Sequence, residues 1–328
     1  MLLRTVVPLT ACCPDERAFH ATAGSGGDRC GVTRPRQVLP DNFYLITRRC
    51  SQRQFLLTPD DEINNAIAYC LIDASQRFKI DVLVTTVESN HHHTVIYDRY
   101  GRFPRFIEHF HKMVAKCINE ARGRRENLWA PGPTCVTRLL DYETILDKLA
   151  YAAANPVKDM LVERATQWPG LNGYRYLIHG KTLRARRPRF FFRRDRGWPE
   201  ELSLTFTIPE ELGDRETVLA ELKERVATIE ADALRTRRPS GRRVLGRKAI
   251  LEQECTSSPT SQEKKRELRP LFAGRPDARD EAVGNYLGFL ASYRVARTAW
   301  IAHGTGHFPA GTYWLAQHTP LARLVVSA

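Results

Sequence analysis

The stretch Asp81–Asp98 reads DVLVTTVESNHHHTVIYD. β-Branched and aromatic residues crowd Asp81–Val87 and His93–Tyr97, and the polar Glu88-Ser89-Asn90 lies between them, so the stretch reads as a tight β-hairpin. Upstream, Thr58-Pro59-Asp60-Asp61 predicts a helix start, with Thr58 as N-cap, Pro59 in the first turn and acids at the positive end of the dipole. Ile63, Ile67, Cys70, Leu71, Ala74 and Phe78 then recur at helical spacing. A strand precedes it at Phe43–Thr47. Downstream, Phe103, Phe106, Ile107, Phe110, Met113, Val114, Cys117 and Ile118 line one helix face. A loop with Trp129, Pro131, Gly132 and Pro133 leads to a fourth strand, Cys135–Leu140. A last helix runs from Tyr142 to Asn155, where Pro156 stops or kinks it. The order β-α-β-β-α-β-α predicts an α+β fold, a ferredoxin-like antiparallel sheet of four strands with its first two helices on one face.

Composition sets the frame around this core. The chain has 328 residues, 42% apolar and 27% charged, as expected of a soluble globular protein. Apolar runs are too short for a spanning helix, which excludes a transmembrane protein of that kind. The net charge of +13 is uneven: residues 1–40 carry +2, 41–170 carry +1, 171–250 carry +8 and 251–328 carry +2. A basic block beside a near-neutral one suggests a polyanionic partner, nucleic acid or a membrane surface. The expected organisation is a disordered lead-in at 1–40, a catalytic domain at 41–170 and a basic, mostly helical extension at 171–328. In that extension Glu201–Ile208 alternates as a strand, Asp214–Leu234 and 281–301 read as helices, and Glu254–Asp277 as a polar loop. Phe308–Gly311 reads as a turn. The eight cysteines form no Cys-x-x-Cys pair, which argues against a zinc ribbon or disulfide framework and for a cytoplasmic chain. Met1–Cys12 is apolar but short and interrupted by Pro8, which argues against a signal peptide.

The residues that carry chemistry begin at His91-His92-His93. On a strand, alternate residues share a face, so His91 and His93 point together and can share a divalent metal. By itself a His-x-His in a strand is more often a polar sheet face. On the last helix Tyr151 lies off the apolar stripe of Tyr142, Ile145, Leu146, Leu149 and Ala153, and shares a face with Thr144, Asp147, Lys148 and Asn155. Asn155 is one turn beyond Tyr151 and offers an amide oxygen as a third hard ligand. Taken alone, this pair reads as a surface tyrosine beside a helix-stop asparagine. His109 and His111, two apart on a helix, face different ways. Gly304-Thr305-Gly306 reads as a loop, and Glu88 and Asp98, which flank the histidine strand, read as groups that support the histidines or, more often for such acids, as exposed groups.

Together, Ser89-Asn90-His91-His92-His93 and Tyr151-Ala152-Ala153-Ala154-Asn155-Pro156-Val157, followed by Leu161-Val162-Glu163, resemble the single-tyrosine HUH transposases. The REP-associated tyrosine transposases resemble it most, and the resemblance covers residues 41–170. It implies an enzyme that nicks and rejoins hairpin-forming single-stranded DNA with REP-like palindromes. Tyr151 would be the nucleophile that forms a 5′-phosphotyrosine, with Mg²⁺ or Mn²⁺ on His91, His93 and Asn155. Lys148, one turn before Tyr151, would lower its pKa. The family's residue between the histidines is usually hydrophobic. Here it is His92, which must find a partner or stay neutral on the opposite sheet face.

DNA contacts are expected from two basic clusters. One is Arg184, Arg186, Arg187, Arg189, Arg193 and Arg194, interleaved with Phe190–Phe192; the other is Arg237, Arg238, Arg242 and Arg243. The competing readings are a catalytically silent hairpin-binding protein and an HUH relaxase or replication initiator. No membrane partner is expected, and the resemblance leaves monomer and homodimer open.

Overall fold

The computed structural model describes residues 34–261 and 270–318. Most of the lead-in expected at 1–40 lies outside the described residues. The described residues divide into two compact units, one of residues 39–259 and 270–285, the other of residues 34–38, 260–261 and 286–318.

The first unit begins with β1 (Asn42–Arg49) and α1 (Asp61–Phe78). Asp60, rather than Thr58, caps α1: its carboxylate accepts the Ile63 N–H at 2.7 Å. The Thr58 hydroxyl donates instead to the carbonyls of Phe55 (2.7 Å) and Gln253 (3.3 Å), tying down the loop before the helix. Next come β2 (Asp81–Val87), β3 (His91–Asp98), α2 (Phe103–Ala121), β4 (Cys135–Leu139) and α3 (Tyr142–Lys158). Pro156 does not stop α3. It removes one hydrogen-bond donor near the end of the helix, which continues to Lys158 and closes with Asp159 N donating to Asn155 O at 3.0 Å.

The strands lie in the order β2-β3-β1-β4, all antiparallel, the arrangement that β-α-β-β-α-β connectivity dictates. Apolar residues at helical period explain the two layers. Ile63, Ile67, Cys70, Leu71 and Ala74 of α1 and Phe103, Phe106, Phe110 and Val114 of α2 are all buried. His92 faces this layer too, its ring 5.5 Å from that of Phe110. α3 packs on β2 and β3, and α5 (Arg215–Arg237) packs on α3. Between them in sequence lie α4 (Gly173–Ile178) and a two-stranded antiparallel hairpin of β5 (Thr182–Arg186) and β6 (Glu201–Thr205). A Cβ on Gly173 would lie 2.6 Å from Phe206 and 2.9 Å from Thr85 N, so only glycine lets α4 approach β2 so closely.

The hairpin rests on α1. Asn65 pairs with the backbone of Arg186 in both directions, and Tyr69 Oη donates to Pro199 O at 2.7 Å. After α6 (Arg247–Leu251), the two residues of β7 (Phe272–Ala273) add to the main sheet in parallel beside β4, inside the stretch expected as loop.

α7 (Pro276–His303) begins in the first unit, and from Tyr286 on it belongs to the second, where it and the short α8 (Trp314–His318) carry a small core of Ala296, Phe308 and Leu315 with Tyr293 and Trp300 packed against it. No helix among the described residues is long and apolar enough to cross a membrane.

Candidate active site

β3 and α3 bring the site together. His91 and His93 share the face opposite His92, and their rings meet edge to face with centroids 4.9 Å apart. The His93 ring meets Tyr151 of α3 in the same manner at 5.1 Å. One turn beyond Tyr151, Asn155 is buried with Nδ2 2.7 Å from Glu88 Oε1 and 3.1 Å from His91 Nε2. Tyr151 is thus half-buried against a histidine, not a surface tyrosine. Lys158, which sequence reasoning passed over, holds its ammonium 4.4 Å from the centre of the Tyr151 ring. Lys148 lies near enough to press on His93 electrostatically, as Lys158 does.

Backbone and neighbours fix the imidazole orientations. His91 Nδ1 lies 2.7 Å from Asn90 Oδ1, and His93 Nδ1 lies 2.8 Å from Thr47 Oγ1 on β1, where Thr47 is the register partner of His93. If each Nδ1 carries the proton and donates it, each Nε2 keeps a lone pair for a ligand. Burial, reinforced by Arg53, brings His91 down to about 4. Burial and the neighbouring histidines likewise hold His93 well below the ordinary imidazole value. Both rings are therefore neutral at pH 7, the state that binds a metal. The two imidazoles can offer lone pairs to a divalent cation, whereas Asn155 presents its amide N–H₂ to His91 Nε2 and Glu88 and joins them as a ligand only with its oxygen turned inward.

Two carboxylates complete the site. Glu88 is buried, not exposed as expected, and Asp159 follows α3. Burial and the facing Asp159 carboxylate push Glu88 well above the usual range, while burial raises Asp159 to about 6. Two carboxyls facing each other in one site disfavour ionisation of both at once. One ligand atom from each of Glu88, His91 and Asp159 falls within 4.8 Å of the others, a second grouping able to hold a metal ion. Asp98, the other acid expected to be exposed, is also buried. It accepts the N–H groups of Tyr100, Arg102 and Phe103 and so holds the start of α2. Glu88 was legible as a neighbour of the histidine strand, and Asp159 only as a charge. Nothing local says that residues 71 positions apart meet.

His92 finds its partner in His111, Nε2 to Nε2 at 2.9 Å, beneath Trp129. His109 pairs instead with Asp73 at 2.6 Å, so the two helix histidines serve separate contacts.

The basic clusters are arranged less uniformly than their sequence suggests. Arg184 and Arg189 are exposed and pair with Glu201 and Glu200 at 3.2 and 2.8 Å, while Arg186, Arg193 and Arg194 are also exposed. Arg187 is buried. Its guanidinium donates to Phe192 O at 2.8 Å and to Glu200 at 2.7 Å, so it braces the hairpin and does not face a ligand. Phe192 is buried with it, Phe191 is half-buried and Phe190 is exposed. Arg237 pairs with Glu163 at 3.1 Å, Arg238 and Arg243 are exposed and Arg242 is half-buried.

Two solved structures resemble this chain. One, a REP-associated tyrosine transposase bound to a REP hairpin, is 15% identical over 45% of this chain and 86% of its own, with a TM-score of 0.38. The other, a protein of Deinococcus radiodurans R1 assigned as a transposase, is 18% identical over 32% of this chain and 84% of its own, with a TM-score of 0.26. No protein-family model matches the sequence, and no curated protein matches it.

Proposed function

We propose that this protein is a transposase-type single-strand DNA endonuclease and strand transferase that works through a covalent tyrosine intermediate. The observation that carries the reading is the meeting of Tyr151 with His93, and of Asn155 with His91, on the sheet face that α3 covers. A phosphodiester is a poor electrophile, and a free phenol is only about one part in a thousand ionised at neutral pH, so both reactants need help. Tyr151 Oη attacks phosphorus, the bond to the 3′ oxygen breaks, and that oxygen takes up a proton. The products are a 5′-phosphotyrosine and a free 3′-hydroxyl. Because the phosphotyrosine keeps the energy of the broken linkage, the reverse attack by another 3′-hydroxyl needs no ATP.

His91, His93 and Asn155 would hold Mg²⁺ or Mn²⁺, which would supply Lewis-acid polarisation of the scissile phosphate. Glu88 orients two of these groups by accepting from Asn155 and lying 3.8 Å from His91 Nδ1. Lys148 and Lys158 place positive charge where the phenolate develops. The half-buried seat of Tyr151 against His93 restricts its ring before substrate arrives.

Hairpin-forming single-stranded DNA is the substrate this reading assigns, with the exposed arginines of both clusters as backbone contacts. The test is a labelled hairpin oligonucleotide incubated with Mg²⁺ or Mn²⁺. A denaturation-resistant protein–DNA adduct is expected, absent in Tyr151→Phe and with EDTA. Binding with no adduct under either metal would favour the catalytically silent hairpin-binding protein.

A further inference from the structure

The segment after the second basic cluster does not trail away from the site. Leu245 N and Gly246 N donate to Met160 O and Leu161 O, each at 2.9 Å, directly beyond Asp159. Ile250 is fully buried. Farther along, Gln253 Oε1 accepts the Ser89 hydroxyl at 2.6 Å, and its carbonyl accepts from Thr58. Phe55 N then donates to Ser257 O at 2.9 Å, and Gln54 Nε2 to Thr256 O at 3.1 Å. The segment is therefore fastened on both sides of the candidate site, at the residues after α3 and at the Glu88–Asn90 turn. Arg243, Arg247 and Lys248, all exposed, sit on or beside its first anchor. The arginines of the β5–β6 hairpin lie elsewhere, on α1, which belongs to the layer on the other face of the sheet.

We propose that Arg242–Ser257 is a substrate clamp, whose Arg243, Arg247 and Lys248 hold the phosphodiester backbone of the single strand that flanks the bond to be cut. The inference rests on the function proposed above and divides the basic excess. The clamp takes the strand next to Tyr151, and whatever DNA the hairpin arginines contact is distant from the cleaved bond. Docking by backbone hydrogen bonds and a buried isoleucine suits the task, because a cation contributes positioning only if its own backbone is fixed. Three exposed cations within six residues offer several contacts to the backbone of one strand.

Two measurements test it. A short unstructured single strand carrying 4-thiothymidine is photocrosslinked to full-length Tyr151→Phe, and the attached peptides are identified. Crosslinks within 242–257 are expected, and crosslinks confined to 184–196 would overturn the clamp. In parallel, Arg243→Glu/Arg247→Glu should weaken binding of that strand by on the order of tenfold or more at 0.1 M salt, and reduce the salt slope by about 1.4. The same charge change at Lys112→Glu/Lys116→Glu, on exposed positions of α2, should leave affinity within about twofold. Equal weakening by both variants would reduce the clamp to bulk charge and refute it. Adduct formation by the wild-type chain reports separately on the proposed reaction. Crosslinks in 242–257 without any adduct would keep the clamp and remove the reaction.

Discussion

Glu88 touches two of the groups assigned to the cation, accepting Asn155 Nδ2 at 2.7 Å and lying 3.8 Å from His91 Nδ1. Its role separates the two ligand groupings. If His91, His93 and Asn155 bind the ion and Glu88 only orients them, Glu88→Gln keeps the acceptor for Asn155 and Mn²⁺ affinity falls little. Asn155→Ala, which removes a ligand, then carries the larger loss. If Glu88, His91 and Asp159 are the ligands, Glu88→Gln and Asp159→Asn carry the large losses and Asn155→Ala the smaller one. Calorimetric titration with Mn²⁺ distinguishes these patterns. At Tyr151 the ammonium of Lys158, 4.4 Å from the ring centre, is expected to matter more than Lys148. Lys158→Met should slow adduct formation by about two- to fivefold at neutral pH, since an exposed cation over a ring contributes on the order of 0.5–1 kcal/mol. Equal or greater slowing by Lys148→Met would assign the electrostatic role to Lys148.

Elements, not single residues, set the geometry, and α3 is the one to perturb. Asp141 caps it through the Thr144 N–H at 2.9 Å and also accepts Arg275 N–H at 2.8 Å, so one carboxylate holds the helix that carries Tyr151 and the lead-out from β7. Asp141→Ala should cost about 1–2 kcal/mol in denaturant unfolding. These hydrogen bonds hold the Asp141 carboxyl below its ordinary value of 3.8, so its contribution is present above that pH and is lost as the pH falls through the lower, folded value. The β3–α2 interface behaves likewise for a different reason. Burial keeps His92 well below 6.5 and brings His111 down to about 3, so the unfolded chain binds more protons than the native one between those values. Stability is full above pH 6.5 and falls on acidification by about 1.4 kcal/mol per pH unit for each histidine. Unfolding of His111→Leu across pH 4–7 should show a shallower acid slope.

The same elements show what a sequence exposes. Strands β1 to β4 and helices α1 to α3 carry their own period, so their order was readable, and so was the pairing of His91 with His93. β5 and β7 were not. β5 is an arginine-rich strand that exists because β6 pairs with it and α1 lies beneath, and β7 is two residues whose only cause is β4. Tyr151 and Asn155 gained meaning from spacing plus family likeness. Asp159, Lys158 and Gln253 became site residues only when the chain closed around them.

Across the whole molecule, some of the 50 Lys and Arg are tied up inside the protein: Arg187 and Arg237 are tied to Glu200 and Glu163, and Arg225 is paired with Glu143 and Asp147. The count of basic residues therefore overstates the cations available to DNA, and the salt dependence of binding measures the remainder. Each phosphate neutralised on a single strand contributes about −0.7 to the slope of log affinity against log salt. Each phosphate of a duplex contributes about −0.9, so if the three exposed cations of the clamp act with about as many on the β5–β6 hairpin, a stem-bearing oligonucleotide should show a slope near −5, and a short unstructured strand one near −2. Affinity for the stem-bearing DNA would then drop by more than a hundredfold between about 0.05 and 0.2 M salt. Fluorescence anisotropy over that range gives both slopes directly. Equal slopes for the two DNAs would mean that the hairpin arginines contribute no contacts to the stem, and that the +8 of residues 171–250 acts through the clamp alone.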